Sequence, residues 1–361
     1  MKIDGSSLRT IALSSDGCAV EIVDQRRLPH ELVILRLETL HDVARAIREM
    51  WLRGAPLIGA AAAHGFHLAM REDASDIGVE RAHRELLATR PTASNLRWAL
   101  DDVHAKVMAV AAERRADVAR QRALSLCDED VATNEAIGRH GLGLLRELHQ
   151  KNGGRRIEIL THCNAGWLAT VDWGTALAPV FMAHDAGIPL HVWVDETRPR
   201  VQGALTAWEL AQHGIQHTVV VDNAGGHLMQ QGDVDVCLVG ADRVTSQGDV
   251  CNKIGTYLKA LAAKDNAIPF YAAVPHSTID WTLSDGVAEI PIEERDHEEV
   301  RTIAGRDHVI RLFPAQSPVA NPAFDVTPGR LLTGIVTERG VCAPSREGLL
   351  GLYPERRASV R

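Results

Sequence analysis

From residue 156 onward, short apolar runs alternate with helix-like stretches, and this alternation constrains the fold more than any other feature of the chain. The runs are 156–160, 189–194, 217–221, 234–239 and 270–274, and the stretches among them read as helices at 174–186, 206–213 and 253–263. Strands that alternate with helices predict a parallel sheet wound on both faces. In such a sheet the strand ends share one edge, and ligands bind in the crevice outside it.

The upstream part reads differently. Residues 8–37 predict short strands, clearest at 19–23 and 32–37. Thr39 caps a helix that ends near Gly54, and Pro56 suits the first turn of the next, where a missing N–H costs nothing. Further helices are expected at 75–89, 94–126 and 130–151, the last stopped by Asn152-Gly153-Gly154. The expected class is therefore α/β: a smaller N-terminal α+β domain, residues 1–135, then a Rossmann-like doubly wound parallel-sheet domain, residues 136–361. The composition changes between residues 128 and 153.

Composition removes several function classes. The net charge is −8 with no lysine/arginine block, so neither nucleic acid nor an anionic membrane is an expected partner. Aromatics make up 4% of the chain, too few for a base-stacking platform. The six cysteines form no Cys-x-x-Cys pair, which predicts reduced thiols in a cytoplasmic protein and no metal site. Met1-Lys-Ile-Asp-Gly5 lacks the apolar core of a signal peptide, and no run is long enough to span a bilayer. No strand leads into Gly-x-Gly-x-x-Gly. Asn223-Ala-Gly-Gly-His227 comes nearest without the spacing, and no Walker loop occurs, so no nucleotide cofactor is expected.

Polar residues recur at the strand ends. The run 156–160 leads into Thr161-His-Cys-Asn-Ala-Gly166, which delivers Cys163 into a small turn. Asp195-Glu-Thr-Arg-Pro-Arg-Val-Gln202, Gly240-Ala-Asp-Arg243, Asn252-Lys253 and Pro275-His-Ser277 follow or flank later runs. Cys163, Asp195, Gln202, Asp242, Lys253 and Ser277 are thus expected to converge, with Asn252 and Lys253 opening a helix. His162 and Cys163 point to opposite faces if the strand persists, which makes His162 a poor base for the thiol. In the first part of the chain, Arg53 before Gly54-Ala55-Pro56 makes an anion cradle with the helix-start amides, and Arg90 stands before a second such turn, Pro91 to Asn95. Each of these residues alone would read as a cap or a surface ion pair; their recurrence at one edge carries the argument.

Taken together, Arg53-Gly-Ala-Pro-Leu-Ile-Gly59, Arg90-Pro-Thr-Ala-Ser-Asn-Leu96, Leu160-Thr-His-Cys-Asn-Ala-Gly166, Asp195-Glu-Thr-Arg-Pro199, Gly240-Ala-Asp-Arg243, Asn252-Lys-Ile-Gly-Thr-Tyr257 and Asn321-Pro-Ala-Phe-Asp-Val-Thr-Pro328 resemble the methylthioribose-1-phosphate isomerase family. The resemblance spans residues 8–342. That family shares a superfamily with ribose-1,5-bisphosphate isomerase and with regulatory subunits of the nucleotide exchange factor for translation initiation factor two. It implies a cofactor-independent aldose–ketose isomerase of methionine salvage, usually dimeric. It also implies that Cys163 and Asp242 form the catalytic pair, and that Arg53, Gly54, Ala55, Arg90, Gln202, Asn252 and Lys253 contact a sugar phosphate.

The chemistry asks for such residues. A sugar whose C1 oxygen carries phosphate cannot free its aldehyde by simple ring opening, so the ring oxygen needs an acid. A desolvated carboxyl stays protonated near neutral pH and suits that task. Hydrogen then moves from C2 to C1, either by proton transfer through a base or by direct hydride shift. Three positions depart from the family pattern. Gln202-Gly-Ala-Leu-Thr206 lacks an arginine after the alanine, Trp167 replaces a small residue, and His276 replaces a serine. The departures bear on the sugar 5-substituent and keep 5-deoxyribose 1-phosphate, ribose 1,5-bisphosphate and a non-catalytic regulatory role as alternatives.

Overall fold

The computed structural model describes residues 1–3, 6–90 and 93–357. Pro91 and Thr92 of the expected Arg90–Asn95 turn, and the last four residues of the expected second domain, lie outside the described residues.

The N-terminal part holds a three-stranded antiparallel sheet of β1 (Ile11–Leu13), β2 (Val20–Val23) and β3 (Ile34–Leu37). Thr39 caps α1 (Leu40–Arg48) through a reciprocal bond pair with Asp42. Gly54 caps α2 (Ala55–Glu72) at φ 107°, and α3 (Asp76–Leu87) and α4 (Ser94–Met108) follow. Next comes α5 (Ala112–Lys151), 40 residues long. Two helices broken near residue 128 were expected, whereas the break falls at 109–111. The acidic residues Asp128, Glu129 and Asp130 do not stop α5, because its buried stripe of Ala119, Ala123, Leu126, Cys127, Asn134, Ile137 and Leu145 continues through them.

Past α5 the chain enters a seven-stranded sheet. Its strands are β4 (Ile157–Thr161), β5 (Leu190–Asp195), β6 (His217–Val220), β7 (Val236–Val239), β10 (Phe270–Ala273), β13 (Gly334–Thr337) and β14 (Gly340–Cys342). Their order is β14-β13-β10-β7-β4-β5-β6, parallel except for β14. A smaller sheet orders β11 (Ile279–Asp280), β8 (Arg243–Thr245), β9 (Val250–Lys253) and β12 (Phe324–Thr327).

Alternation along the central strands feeds two cores. Ile157, Ile159, Val236 and Leu238 face one, while Leu160, Cys237 and Val239 face the other. Helices α6 (Ala178–Asp185) and α7 (Gly203–Gln212) contribute to the first core, and α8 (Ala224–Gln231) and α9 (Thr256–Asp265) to the second. Both faces are covered, which is why these strands read as apolar runs rather than as alternating ones. The chain builds β5 and β6 on one side of β4 and then crosses to β7 on the other. The switch between β4 and β7 opens a crevice at their carboxyl ends.

Candidate active site

Cys163 and Asp242 follow the two strands that flank this switch point, and both line one cleft of about 690 Å³. Cys163 sits at φ 67°, a left-handed conformation that a non-glycine residue holds only under constraint. The constraints are visible: its N–H donates to Thr197 Oγ1 at 2.8 Å, and its carbonyl accepts from Thr206 Oγ1 at 2.8 Å. His162 turns away from the thiol, its Nδ1 2.8 Å from Asp195 Oδ2 and its Nε2 2.8 Å from the Ile254 carbonyl.

Asp242 is held by its own backbone. Its N–H donates to the Cys251 carbonyl at 2.9 Å, and its carbonyl accepts from Ser94 Oγ at 3.3 Å. Burial pushes its carboxyl pKa up, against the pull of Lys253, Arg90 and Arg53, while Glu293 adds to the rise. Arg243 leans toward Asp280 at 3.6 Å.

The cations stand around this pair. Arg53 is buried, and its guanidinium donates to the Asn164 carbonyl at 2.9 and 3.2 Å and to Asn164 Oδ1 at 2.5 Å. Arg90 pairs with Glu293 at 2.9 Å. Lys253 is buried, and desolvation lowers its pKa while Cys163 and Asp242 raise it. Gly54 and Ala55 line the same wall at the start of α2, where leading amides have no carbonyl in their own helix. Gly54 is obligatory there, since a Cβ would stand 2.2 Å from the Ala169 carbonyl oxygen. Gln202 caps α7, and Asn252 Nδ2 donates to Thr256 Oγ1 at 3.0 Å. Arg53 Nε, Arg90 Nε and Gln202 Oε1 are buried without a protein partner.

All nine residues that the family resemblance implies therefore line one cleft: Arg53, Gly54, Ala55, Arg90, Cys163, Gln202, Asp242, Asn252 and Lys253. Two strand-end residues expected to converge do not join its walls. Asp195 lies wholly buried beside His162 and Lys259, and Ser277 accepts from Asn95 Nδ2 at 2.8 Å in a separate hollow. Asn252 and Lys253 end strand β9 instead of opening a helix, because Gly255 at φ 102° turns the chain first. Sequence reasoning missed Arg295, Asn164, Thr175 and Phe324, which also line the cleft. Trp167 packs into the core against Trp208, and His276 faces Trp98 in the second hollow.

One group of metal-ligand type occurs among the described residues: His162, Asp195 and Asp222. It already holds a cation, because the Lys259 ammonium lies 3.2 Å from Asp195 and donates to the Asp222 carbonyl. The Asp222 carboxylate is also spent, accepting the N–H groups of Thr197 and Arg198 at 2.7 and 2.8 Å. Among the described residues no helix is long and apolar enough to cross a membrane.

Residues 52–344 match the model of the initiation factor 2 subunit family. Methylthioribose-1-phosphate isomerase of Methylorubrum populi is 62% identical, covering 100% of both chains, and that of Rhizobium meliloti is 58% identical over 99% of this chain and 100% of its own. The crystal structure of 5-methylthioribose 1-phosphate isomerase from Pyrococcus horikoshii superposes with a TM-score of 0.85 at 40% identity, covering 98% of this chain and all of the other. Subunit delta of translation initiation factor eIF-2B from A. fulgidus superposes at 0.80 with 36% identity, covering 96% of this chain and all of the other. The chain is an enzyme of the isomerase class and belongs to the methylthioribose-1-phosphate isomerase family.

Proposed function

We propose that this isomerase converts 5-methylthioribose 1-phosphate to 5-methylthioribulose 1-phosphate in methionine salvage. The observation that carries the reading is the pairing, in one cleft, of a carboxyl pushed toward its neutral form with unpartnered arginine donors: Asp242 facing Arg53 and Arg90. A neutral acid and an anion site are what a ring-opening step on a sugar 1-phosphate requires.

Asp242 donates its proton to the ring oxygen as the C1–O4 bond breaks, leaving C1 electron-poor. A hydrogen then passes from C2 to C1, the C2 hydroxyl gives up its proton, and a C2 ketone results. The hydrogen lost at one carbon arrives at its neighbour, so the reaction is redox-neutral and calls for no cofactor. Cys163 acts either as the base that takes the C2 proton or as the group that stabilises charge during a hydride shift. Arg53, Arg90 and Lys253 hold the phosphate with the amides of Gly54 and Ala55, while Gln202 and Asn252 orient the sugar hydroxyls. Positioning of this kind supplies a large share of a barrier reduction. The same reading has the enzyme cytoplasmic and homodimeric, with an N-terminal domain over residues 1–135 and the Rossmann-like catalytic domain over 136–361.

Purified protein incubated with 5-methylthioribose 1-phosphate in deuterated water, followed by NMR, tests this reading. Ketose formation is expected in the wild type, with loss in Cys163→Ser and Asp242→Asn. Deuterium incorporated at C1 favours proton transfer over hydride shift. No turnover by the wild type overturns the substrate assignment and directs the assay to 5-deoxyribose 1-phosphate.

A further inference from the structure

Helix α7 presents Gln202, Thr206 and Glu209 at spacings of four and three, so the three share one face. Gln202 reaches the cleft and Thr206 holds the Cys163 carbonyl. Glu209 does neither. It is 0% exposed, an expensive position for a carboxyl that touches no ligand wall.

Its contacts explain the location. Oε1 accepts from Asn164 Nδ2 at 2.8 Å and from the Leu168 N–H at 3.1 Å, and Oε2 accepts from the Trp167 N–H at 2.9 Å. All three partners donate, so the ionised carboxylate is the form that satisfies them. The fit is tight enough that a Cβ on Gly166 would stand 1.8 Å from Oε2. The turn so fixed runs directly from Cys163 to Ala169, and Ala169 in turn abuts Gly54 at the start of α2. Asn164 passes the effect to a second place, because its carbonyl and Oδ1 are the acceptors that hold the Arg53 guanidinium and leave Arg53 Nε unpartnered. Desolvation raises the Glu209 pKa against the pull of the bonds from Asn164, Leu168 and Trp167 and of the Arg53 charge, to about 7, so the carboxylate is the form present above that pH.

We infer that Glu209 is a positioning residue of this site: its carboxylate fixes the Cys163–Ala169 turn and, through Asn164, the Arg53 guanidinium, setting the thiol and phosphate ends of the cleft together. The inference rests on the reading above that Cys163 and Arg53 serve the reaction.

Glu209→Gln keeps the volume, removes the charge and turns an amide N–H against a backbone N–H. The variant is expected to lose about tenfold or more in kcat/KM, through both a higher KM and a lower kcat, and to bind inorganic phosphate more weakly by calorimetry. A double-mutant cycle with Arg53→Lys reads the coupling. Arg53→Lys should weaken phosphate binding less in the Glu209→Gln background than in the wild type, by about threefold or more. Additive effects on phosphate binding, or a cooperatively folded Glu209→Gln protein with unchanged kcat and KM, would overturn the inference. Should Glu209→Gln fail to melt cooperatively, Asn164→Ser removes the side-chain relay, the Nδ2 bond to Glu209 and the Oδ1 bond to Arg53, while the backbone carbonyl contact to Arg53 and the Trp167 and Leu168 bonds stay in place. Phosphate binding unchanged in that variant overturns the inference too. Phosphate binding needs no turnover, so a wild type inactive on 5-methylthioribose 1-phosphate would defeat the substrate reading while leaving this test standing.

Discussion

Lys253 and Phe324 stand opposite each other across the antiparallel pair β9–β12, and the Lys253 ammonium lies 4.4 Å from the centre of the Phe324 ring. The ring face is the negative pole of an aromatic quadrupole, so it steadies a buried ammonium that desolvation disfavours. A desolvated cation–π contact is worth about 0.5–2 kcal/mol. Phe324→Leu is therefore expected to weaken inorganic phosphate, measured as a competitive inhibitor, by about two- to thirtyfold, and Phe324→Tyr to preserve it. An undiminished phosphate affinity in Phe324→Leu would show that the ring does not support Lys253.

Glu293 acts on Asp242 through charge and on Arg90 through the 2.9 Å ion pair. Removing a nearby anion makes the Asp242 carboxylate easier to form, so its pKa moves down. An acid catalyst loses activity as pH rises past its pKa. Glu293→Gln should therefore shift the alkaline limb of kcat to lower pH, while the released Arg90 binds phosphate more tightly. Rate–pH profiles of the two proteins measured side by side check the direction. A limb that moves upward contradicts the assignment of Asp242 as the acid.

Gly54 combines φ 107° with a backbone approach to Ala169 that leaves no room for a Cβ. Gly54→Ala must either displace the Ala169 carbonyl or abandon the start of α2. Strained backbone of this kind costs on the order of 1–3 kcal/mol. The variant is expected to melt several degrees lower and to lose phosphate affinity. A variant with wild-type melting temperature and affinity would refute the contact.

Glu209 also gives a stability signature. Its native pKa is raised to about 7, against an ordinary value of 4.5 in the unfolded chain. Between those values the folded state binds more protons than the unfolded state, so this contribution is fully present below about pH 4.5 and is lost as pH rises through 7. It amounts to on the order of 3 kcal/mol, because a tenfold change in proton affinity is worth about 1.4 kcal/mol. The melting temperature of Glu209→Gln relative to wild type should climb between pH 5 and pH 8. A difference that stays flat with pH would show that Glu209 titrates as an ordinary carboxyl.

Much of the fold was legible because the apolar runs need burial on both faces, which calls for a parallel sheet covered by helices on either side. The cleft residues were legible for the same reason: Cys163 and Asp242 lie just past strands of a parallel sheet, where all carboxyl ends share an edge. What escaped depends on distance in sequence. Glu209 reads as a polar residue on an ordinary helix face, and nothing local announces its bond to Asn164, 45 positions earlier. Arg295 sits in an acidic, irregular stretch that reads as surface, yet it lines the cleft while paired with Glu293 and Glu299. Asp195 and Ser277 show the converse. They occupy strand ends, but buried partners claim them first, Lys259 and His162 for Asp195 and Asn95 for Ser277.

Helix α5 runs unbroken for 40 residues, about 60 Å at 1.5 Å per residue. Its first half packs Ala119, Ala123, Leu126 and Cys127 into the N-terminal core, and its second half packs Ile137 and Leu145 against the sheet. Neither core can melt without fraying a helix that the other core still holds. The two halves of the enzyme are thereby joined in cooperativity as well as in sequence, and heat should take them apart in a single transition.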